Sequence, residues 1–191
     1  MQPTTVEKID SKKLRGGYYT PQPISDFICK WAITKPTQRV LEPSCGDGNF
    51  IESAIKRFLE LGVPQNKLFG LLKGIELVER EAEISKRRAA SYGLNSTTII
   101  NSDFFNYISN ANGDGHYDVV IGNPPFIRYQ NFPEEHRTKA FEMMEAMGLS
   151  PNKLTNIWVP FLVLSANSLN RYGKLGMVIP AELFQVKYAA E

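Results

Sequence analysis

The sequence predicts an α/β fold, doubly wound around a mainly parallel sheet. Three observations predict it. Short apolar runs alternate with longer helical stretches along the chain, the runs end in acidic or amide residues, and the first run passes through a glycine turn directly into a helix. Ligands in such folds sit outside the carboxyl ends of the strands, where the strand order reverses. With 191 residues, 42% of them hydrophobic and 22% charged, the chain can bury one core and is neither disordered nor fibrous.

The first helix is expected from Pro23 to Thr34, after the segment Gly17-Tyr18-Tyr19-Thr20-Pro21. The first strand-like run, Arg39-Val40-Leu41-Glu42, leads into Pro43-Ser44-Cys45-Gly46-Asp47-Gly48 and a helix from Asn49 to Gly62. Gly46 and Gly48 permit positive φ and carry no Cβ, so a ligand can approach the backbone where the helix presents its free amides. Ile51 stands where the dinucleotide fingerprint has its third glycine, which disfavours a nicotinamide cofactor and with it an oxidoreductase. Glu42 points the same way, because a carboxylate repels pyrophosphate and suits an ammonium group.

A second run starts at Lys67 and ends at Glu76, whose carboxylate can accept from both hydroxyls of a ribose; a helix from Glu79 to Tyr92 follows. The third run, Thr97 to Asn101, leads to Ser102-Asp103-Phe104. Asp103 is expected to accept from an adenine amino group, with Phe104 packed beside the ring. The fourth run, Tyr117 to Gly122, enters Asn123-Pro124-Pro125-Phe126. Each proline locks φ and pushes the residue before it extended, so the strand ends in a rigid shelf. On that shelf the Asn123 amide and the Pro124 carbonyl offer two acceptors to an amino group, and Phe126 offers a flat face to a planar heterocycle. The loop beyond it, through Arg128 and Tyr129 to Pro133, is polar and aromatic and suited to closing over a base or a phosphate. Helices from Pro133 to Met147 and from Asn156 to Tyr172 lead to a fifth run around Lys174.

Acid and glycine turn, then acid, then Asp-Phe, then Asn-Pro-Pro-Phe, each one strand further on, resembles the S-adenosylmethionine-dependent amino methyltransferases. Within them it is most similar to the DNA adenine N6 methyltransferases of bacterial restriction-modification systems. The resemblance runs from Gly16 onward and implies a Rossmann-like sheet of the class I methyltransferase type. It implies S-adenosyl-L-methionine as cofactor, held by Tyr19, Thr20, Glu42, Gly46, Gly48, Glu76, Asp103 and Phe104. Tyr19 and Thr20 inherit the place across the methionine end, with the helix after Pro21 beside the first strand. Asn123, Pro124 and Phe126 inherit the catalytic role, and Pro125, Arg128 and Tyr129 the substrate surface. The partner implied is DNA, read with the help of a C-terminal recognition domain missing from this chain, or of a cognate restriction endonuclease beside it. Residues 1–191 are thus expected to form one catalytic domain, incomplete at the C-terminus, with the edge strands beyond the fifth missing. An apolar strand edge left open in this way predicts poor solubility or pairing with another chain.

Alternative substrates stay open at this point. Methyltransferases of protein glutamine amides and of guanine N2 in RNA share the Asn-Pro-Pro shelf, but typically carry Tyr where Phe126 stands. A non-catalytic cofactor-binding module that needs a partner is the remaining alternative.

No apolar run approaches the roughly 20 residues needed to cross a bilayer, and the polar first residues are not a signal peptide, so no membrane partner and a cytoplasmic location are expected. Cys29, read as a helix-core residue, and Cys45, read as a filler in the turn, fit a reducing compartment. Metal-ligand spacing is absent, and His116 and His136 read as surface residues. A net charge of +2 is too small for a protein that grips a duplex by its phosphates alone. Lys12, Lys13 and Arg15 form the cluster expected to touch phosphate; Lys86, Arg87 and Arg88 read as a solvated helix face.

Overall fold

Five strands make one sheet: β1 (Val40–Glu42), β2 (Leu72–Glu76), β3 (Ile99–Asn101), β4 (Tyr117–Gly122) and β5 (Leu169–Met177). Their order is β3-β2-β1-β4-β5, and each neighbouring pair is parallel, as the alternation of runs and helices predicts. The computed structural model describes residues 19–110, 117–152 and 155–181. Lys12, Lys13, Arg15, Gly17, Tyr18 and His116 lie outside the described residues.

The helices are α1 (Gln22–Ala32), α2 (Asn49–Glu60), the short α3 (Gln65–Leu68), α4 (Glu79–Ser91), α5 (Phe104–Asn110), α6 (Glu134–Ala146) and α7 (Trp158–Asn167). Successive side chains of a strand point to opposite faces, and β4 shows it: Val119 and Ile121 join one core cluster, Val120 the other. The first cluster takes Cys29 from α1, Phe50 and Ile51 from α2, and Ala82 and Ala89 from α4. The second takes Phe104 and Phe105 from α5, Ala140 from α6 and Phe161 from α7. With both faces covered, the strands read as unbroken apolar runs, which is why they stand out in the sequence. Cys29 and Cys45 are both buried free thiols, as expected. Among the described residues no helix is long and apolar enough to cross a membrane.

The chain winds outward from β1 through β2 to β3, then returns to lay β4 against the other side of β1. That reversal leaves a crevice between the carboxyl ends of β1 and β4, where ligands of open α/β sheets sit. Glu42 and the Asn123 shelf flank it.

Two boundaries differ from the sequence expectation. The second strand begins at Leu72 and not at Lys67, because β1 offers it only the register Val40↔Leu72 to Glu42↔Gly74; upstream, Gln65–Leu68 coils into a helical turn after Pro64. The last helix stops at Asn167 and not at Tyr172. There the Ser168 amide donates to Leu164, and the Ser168 carbonyl accepts from Tyr117 as β5 begins. Register then jumps from Tyr117↔Leu169 to Val119↔Lys174, so residues 170–173 bulge from the edge. The first helix, α1, lies over β4 and β5 and shares a core cluster with β1 through Cys29, Ala32 and Val40. A Cβ on Gly176 of β5 would come within 2.7 Å of Ile28 of that helix. Among the described residues β5 has no strand on its outer side.

Ile51, where a third glycine is missing from α2, is accommodated by a glycine on the strand. A Cβ on Gly74 of β2 would lie 2.8 Å from Ile51 Cδ1, 2.8 Å from Ile99 Cδ1 and 3.1 Å from Cys45 Sγ. Helix and strand thus approach closely with the small residue on the opposite partner. Gly74→Ala is expected to destabilise the fold by about 1–3 kcal/mol through overpacking, read as a lowered melting temperature. Ile51→Val combined with it should recover part of the loss.

Candidate active site

Glu42 ends β1 at 2% exposure, and among the described residues its Oε2 has no hydrogen-bond partner. Burial pushes its carboxyl well above the usual range, and the neighbouring carboxylates of Glu76 and Asp47 push it further; the Ile51 amide and Arg88 pull against them. A buried carboxylate of this kind calls for a cationic or hydrogen-bond-donating ligand group.

The turn that follows has Gly46 at φ 52° and Gly48 at φ 88°, the left-handed region that glycine adopts at no steric cost. Gly48 is the N-cap of α2, and a Cβ there would sit 2.7 Å from Ser85 Oγ on α4. Glu76 at the end of β2 binds this turn: its Oε2 accepts from the Gly46 amide at 2.8 Å and its Oε1 from the Val78 amide at 2.7 Å. The carboxylate read as a ribose acceptor therefore also fixes the turn beside it. Tyr19 and Thr20 lie over the same turn. Tyr19 donates to Glu81 Oε2 at 2.9 Å, its ring comes within 3.9 Å of a Cβ built on Gly46, and the buried Thr20 accepts from Asn49 Nδ2 through its carbonyl at 3.1 Å.

Arg88 is not on a solvated face. It reaches back to the glycine turn, 3.2 Å from Asp47 and 3.3 Å from Glu52, and hydrogen-bonds the Asn49 side chain. Its neighbours in the basic triplet behave as expected: Arg87 is exposed and Lys86 pairs with Glu83 at 2.7 Å. The helix period could have separated them, since Glu81, Ser85 and Arg88 are spaced to share one face of α4.

Asp103, after β3, is 5% exposed, and its Oδ1 accepts from the Asn106 amide at 2.8 Å. Burial raises its carboxyl, against the opposing pull of the Asn106 amide and His136. His136 is not on the surface: its side chain is 12% exposed, with Nδ1 3.4 Å from Asp103 Oδ2 and Nε2 3.4 Å from Glu135. Phe104 is a core side chain at 2% exposure, stacked on Phe161 with ring centroids 5.2 Å apart, so it has no face to offer a ligand ring. The expectation for Phe104 fails because α5 starts there and turns that side chain inward.

Directly after β4, Asn123 is half-buried and its backbone carbonyl accepts from Ser44 Oγ at 3.4 Å, which ties the shelf to the loop after β1. Pro124 is buried and Pro125 half-buried. Phe126 is half-buried, with one side against the cluster of Met144, Trp158 and Val159. The Ile127 carbonyl accepts from the Ile157 amide at 3.0 Å, which anchors the loop to the start of α7. Beyond it Arg128 is exposed, and Tyr129 opens a short 3-10 turn to Asn131.

The structure thus brings Tyr19, Thr20, Glu42, Gly46, Gly48 and Glu76 into one cradle, with Asn123 joined to it through Ser44. Asp103 stands at the next strand end, where the Ser102 amide donates to the Glu76 carbonyl at 3.0 Å. Gly74, Arg88 and His136 are the residues that sequence reasoning missed.

A parallel sheet of this order, with an acid and glycine turn at its centre and an amide-proline shelf one strand away, defines a Rossmann-like protein of the class I methyltransferase type. The chain belongs to the N-6 DNA Methylase family, whose profile matches residues 6–189. It is 25% identical over 181 residues to the type II methyltransferase M.AccI of Acinetobacter calcoaceticus, covering 94% of this chain and 30% of the relative. It is 26% identical over 179 residues to the modification methylase CviBIII of Paramecium bursaria Chlorella virus NC1A, covering 91% of this chain and 40% of the relative. Among solved structures, the DrdV–DNA complex superposes with a TM-score of 0.75 at 18% identity, covering 95% of this chain and 22% of that one. The M protein of the type I restriction enzyme EcoKI gives 0.63 at 16% identity, covering 92% and 36%. The chain therefore spans well under half the length of these relatives.

Proposed function

We propose that this chain carries the machinery that transfers the methyl group of S-adenosyl-L-methionine to N6 of an adenine flipped out of double-stranded DNA, in a restriction-modification setting. The observation that carries this reading is the Asn123-Pro124-Pro125-Phe126 shelf, bonded through Ser44 to the loop that follows Glu42. The family membership and the names of the relatives, type II methyltransferases and a modification methylase, support the same reaction.

The cradle fits the cofactor. Glu42, buried with an oxygen that has no partner among the described residues, suits an ammonium group. Gly46 and Gly48 keep the turn free of Cβ atoms, Glu76 suits the ribose diol, and Asp103 suits a purine amino group. Tyr19 and Thr20 cover the turn from above. When bound, the cofactor supplies an electrophilic methyl group. Adenine N6 is a weak nucleophile because its lone pair is delocalised into the ring. The Asn123 carboxamide and Pro124 carbonyl, by accepting both N6 hydrogens, localise that pair toward the cofactor. The rigid shelf contributes by positioning. Phe126, backed by the Trp158 cluster, stacks on the extruded base and offsets part of the unstacking cost. Pro125, Arg128 and Tyr129 lie toward the DNA in this reading, with recognition of the target sequence left to parts of a longer protein or to a partner.

Labelled cofactor offered to the protein with duplex DNA, tRNA and a release factor tests the proposal. The label should appear on N6 of adenine in DNA; label on a glutamine amide or on guanine N2 would overturn it. Phe126→Ala should weaken capture of the base about 10-fold to 100-fold, seen as a smaller fluorescence rise from 2-aminopurine at the target position, with cofactor affinity unchanged.

A further inference from the structure

Asp103 is asked to act as an acceptor in a place that disfavours a charged carboxylate. Its side chain is 3% exposed, and burial is the dominant influence on it. A protonated Asp103 would donate a hydrogen bond instead of accepting one, and its preference among purines would invert. Among the described residues the titratable groups that face it are His136 and Glu135, both from α6. Oδ1 is held by the Asn106 amide of its own helix; Oδ2 faces His136 Nδ1 at 3.4 Å. That nitrogen is buried and has no hydrogen-bond partner among the described residues, which leaves the Asp103 Oδ2 facing it as the acceptor its N–H can turn to. The imidazole is held in place by α6 and lies tilted against Phe132, ring centroids 6.0 Å apart. Phe132 is itself buried among Phe105 and Phe161.

We infer that His136 is a positioning residue that keeps Asp103 a hydrogen-bond acceptor, and so sets the preference of the cofactor pocket for a purine with a 6-amino group over one with a 6-oxo group. This rests on the cofactor reading of Asp103 given above. Because α6 follows the catalytic loop within a few residues of Asn131, the same contact ties the purine pocket to the helix behind the Asn-Pro-Pro-Phe shelf.

Calorimetric titration of S-adenosylhomocysteine and of its 6-oxo analogue S-inosylhomocysteine into the wild type, His136→Ala, His136→Asn and Asp103→Ala decides the matter. The wild type should prefer the amino ligand. His136→Ala should lose about 10-fold to 100-fold in affinity for it while holding or gaining affinity for the oxo ligand. His136→Asn, whose Nδ2 can donate from near the position of the imidazole Nδ1, should restore the preference. Equal losses for both ligands in His136→Ala would mean a merely structural role and would overturn the inference. A preference lost in Asp103→Ala but intact in His136→Ala overturns the inference alone, whereas an intact preference in Asp103→Ala overturns the cofactor reading as well.

Discussion

Asn123→Ala is expected to lower methyl transfer by about 10²–10³-fold while cofactor affinity stays within about twofold of the wild type. The reason lies in how the residue is held. Its backbone carbonyl accepts from Ser44 Oγ, and an alanine keeps that bond. Pro124 and Pro125 fix the peptide groups that follow whatever side chain stands before them. What the alanine removes is the carboxamide, one of the two acceptors that orient the amino group. Cofactor binding in this reading belongs to Glu42, the glycine turn and Glu76, and Glu76 fixes that turn through the Gly46 and Val78 amides. Tritium transfer in a single turnover, beside calorimetric titration of S-adenosylhomocysteine, separates the two effects. Turnover equal to wild type would remove Asn123 from the reaction. A parallel collapse of cofactor affinity would recast it as part of the cofactor cradle.

Much of this arrangement is legible in the chain because parallel strands buried on both faces must be continuous apolar runs, and because a doubly wound sheet delivers its strand ends to one edge. Glu42, Glu76, Asp103 and Asn123 stand out for that reason: each lies at or just past the end of such a run. Strand boundaries were less legible, since the start of β2 at Leu72 is decided by the short partner β1 and not by the apolarity of Leu68 or Phe69. Side chains that act across elements were the least legible. Arg88 reads as one of three basic residues in a row until the glycine turn is laid against α4. His136 sits in a polar stretch whose neighbours Glu134 and Glu135 suggest solvent, yet the turn after Phe132 aims it at Asp103. Phe104 erred in the opposite direction: an aromatic beside a binding aspartate suggests a stacking face, and the helix that starts there buries it.

Glu42→Gln is expected to stabilise the free protein and to weaken cofactor binding, two effects of opposite sign from one buried carboxylate. Glu42 is raised by burial first and by the Glu76 and Asp47 carboxylates next. An acid whose carboxyl is higher in the folded than in the unfolded state contributes stability at low pH and loses it as pH rises through the folded value. At pH 8 the wild type therefore carries a cost that the isosteric amide lacks, and Glu42→Gln should be more stable by about 1–3 kcal/mol. Below about pH 4, where the unfolded acid is protonated too, the two curves should converge, because every other titrating group is common to both proteins. Urea unfolding across that range measures the difference. Saturating S-adenosylmethionine should shift the balance back toward the wild type. If the carboxylate meets an ammonium, the amide loses a charge-assisted hydrogen bond and binds about 10-fold to 100-fold more weakly. At a ligand concentration 100 times the wild-type Kd the wild type gains about 2.7 kcal/mol and the variant about 0.4–1.4 kcal/mol, a shift of about 1.3–2.3 kcal/mol toward the wild type. A carboxylate with a purely structural role would give the same stability difference with and without the cofactor, so a ligand-dependent shift in that difference is the signature that Glu42 is kept buried for its ligand.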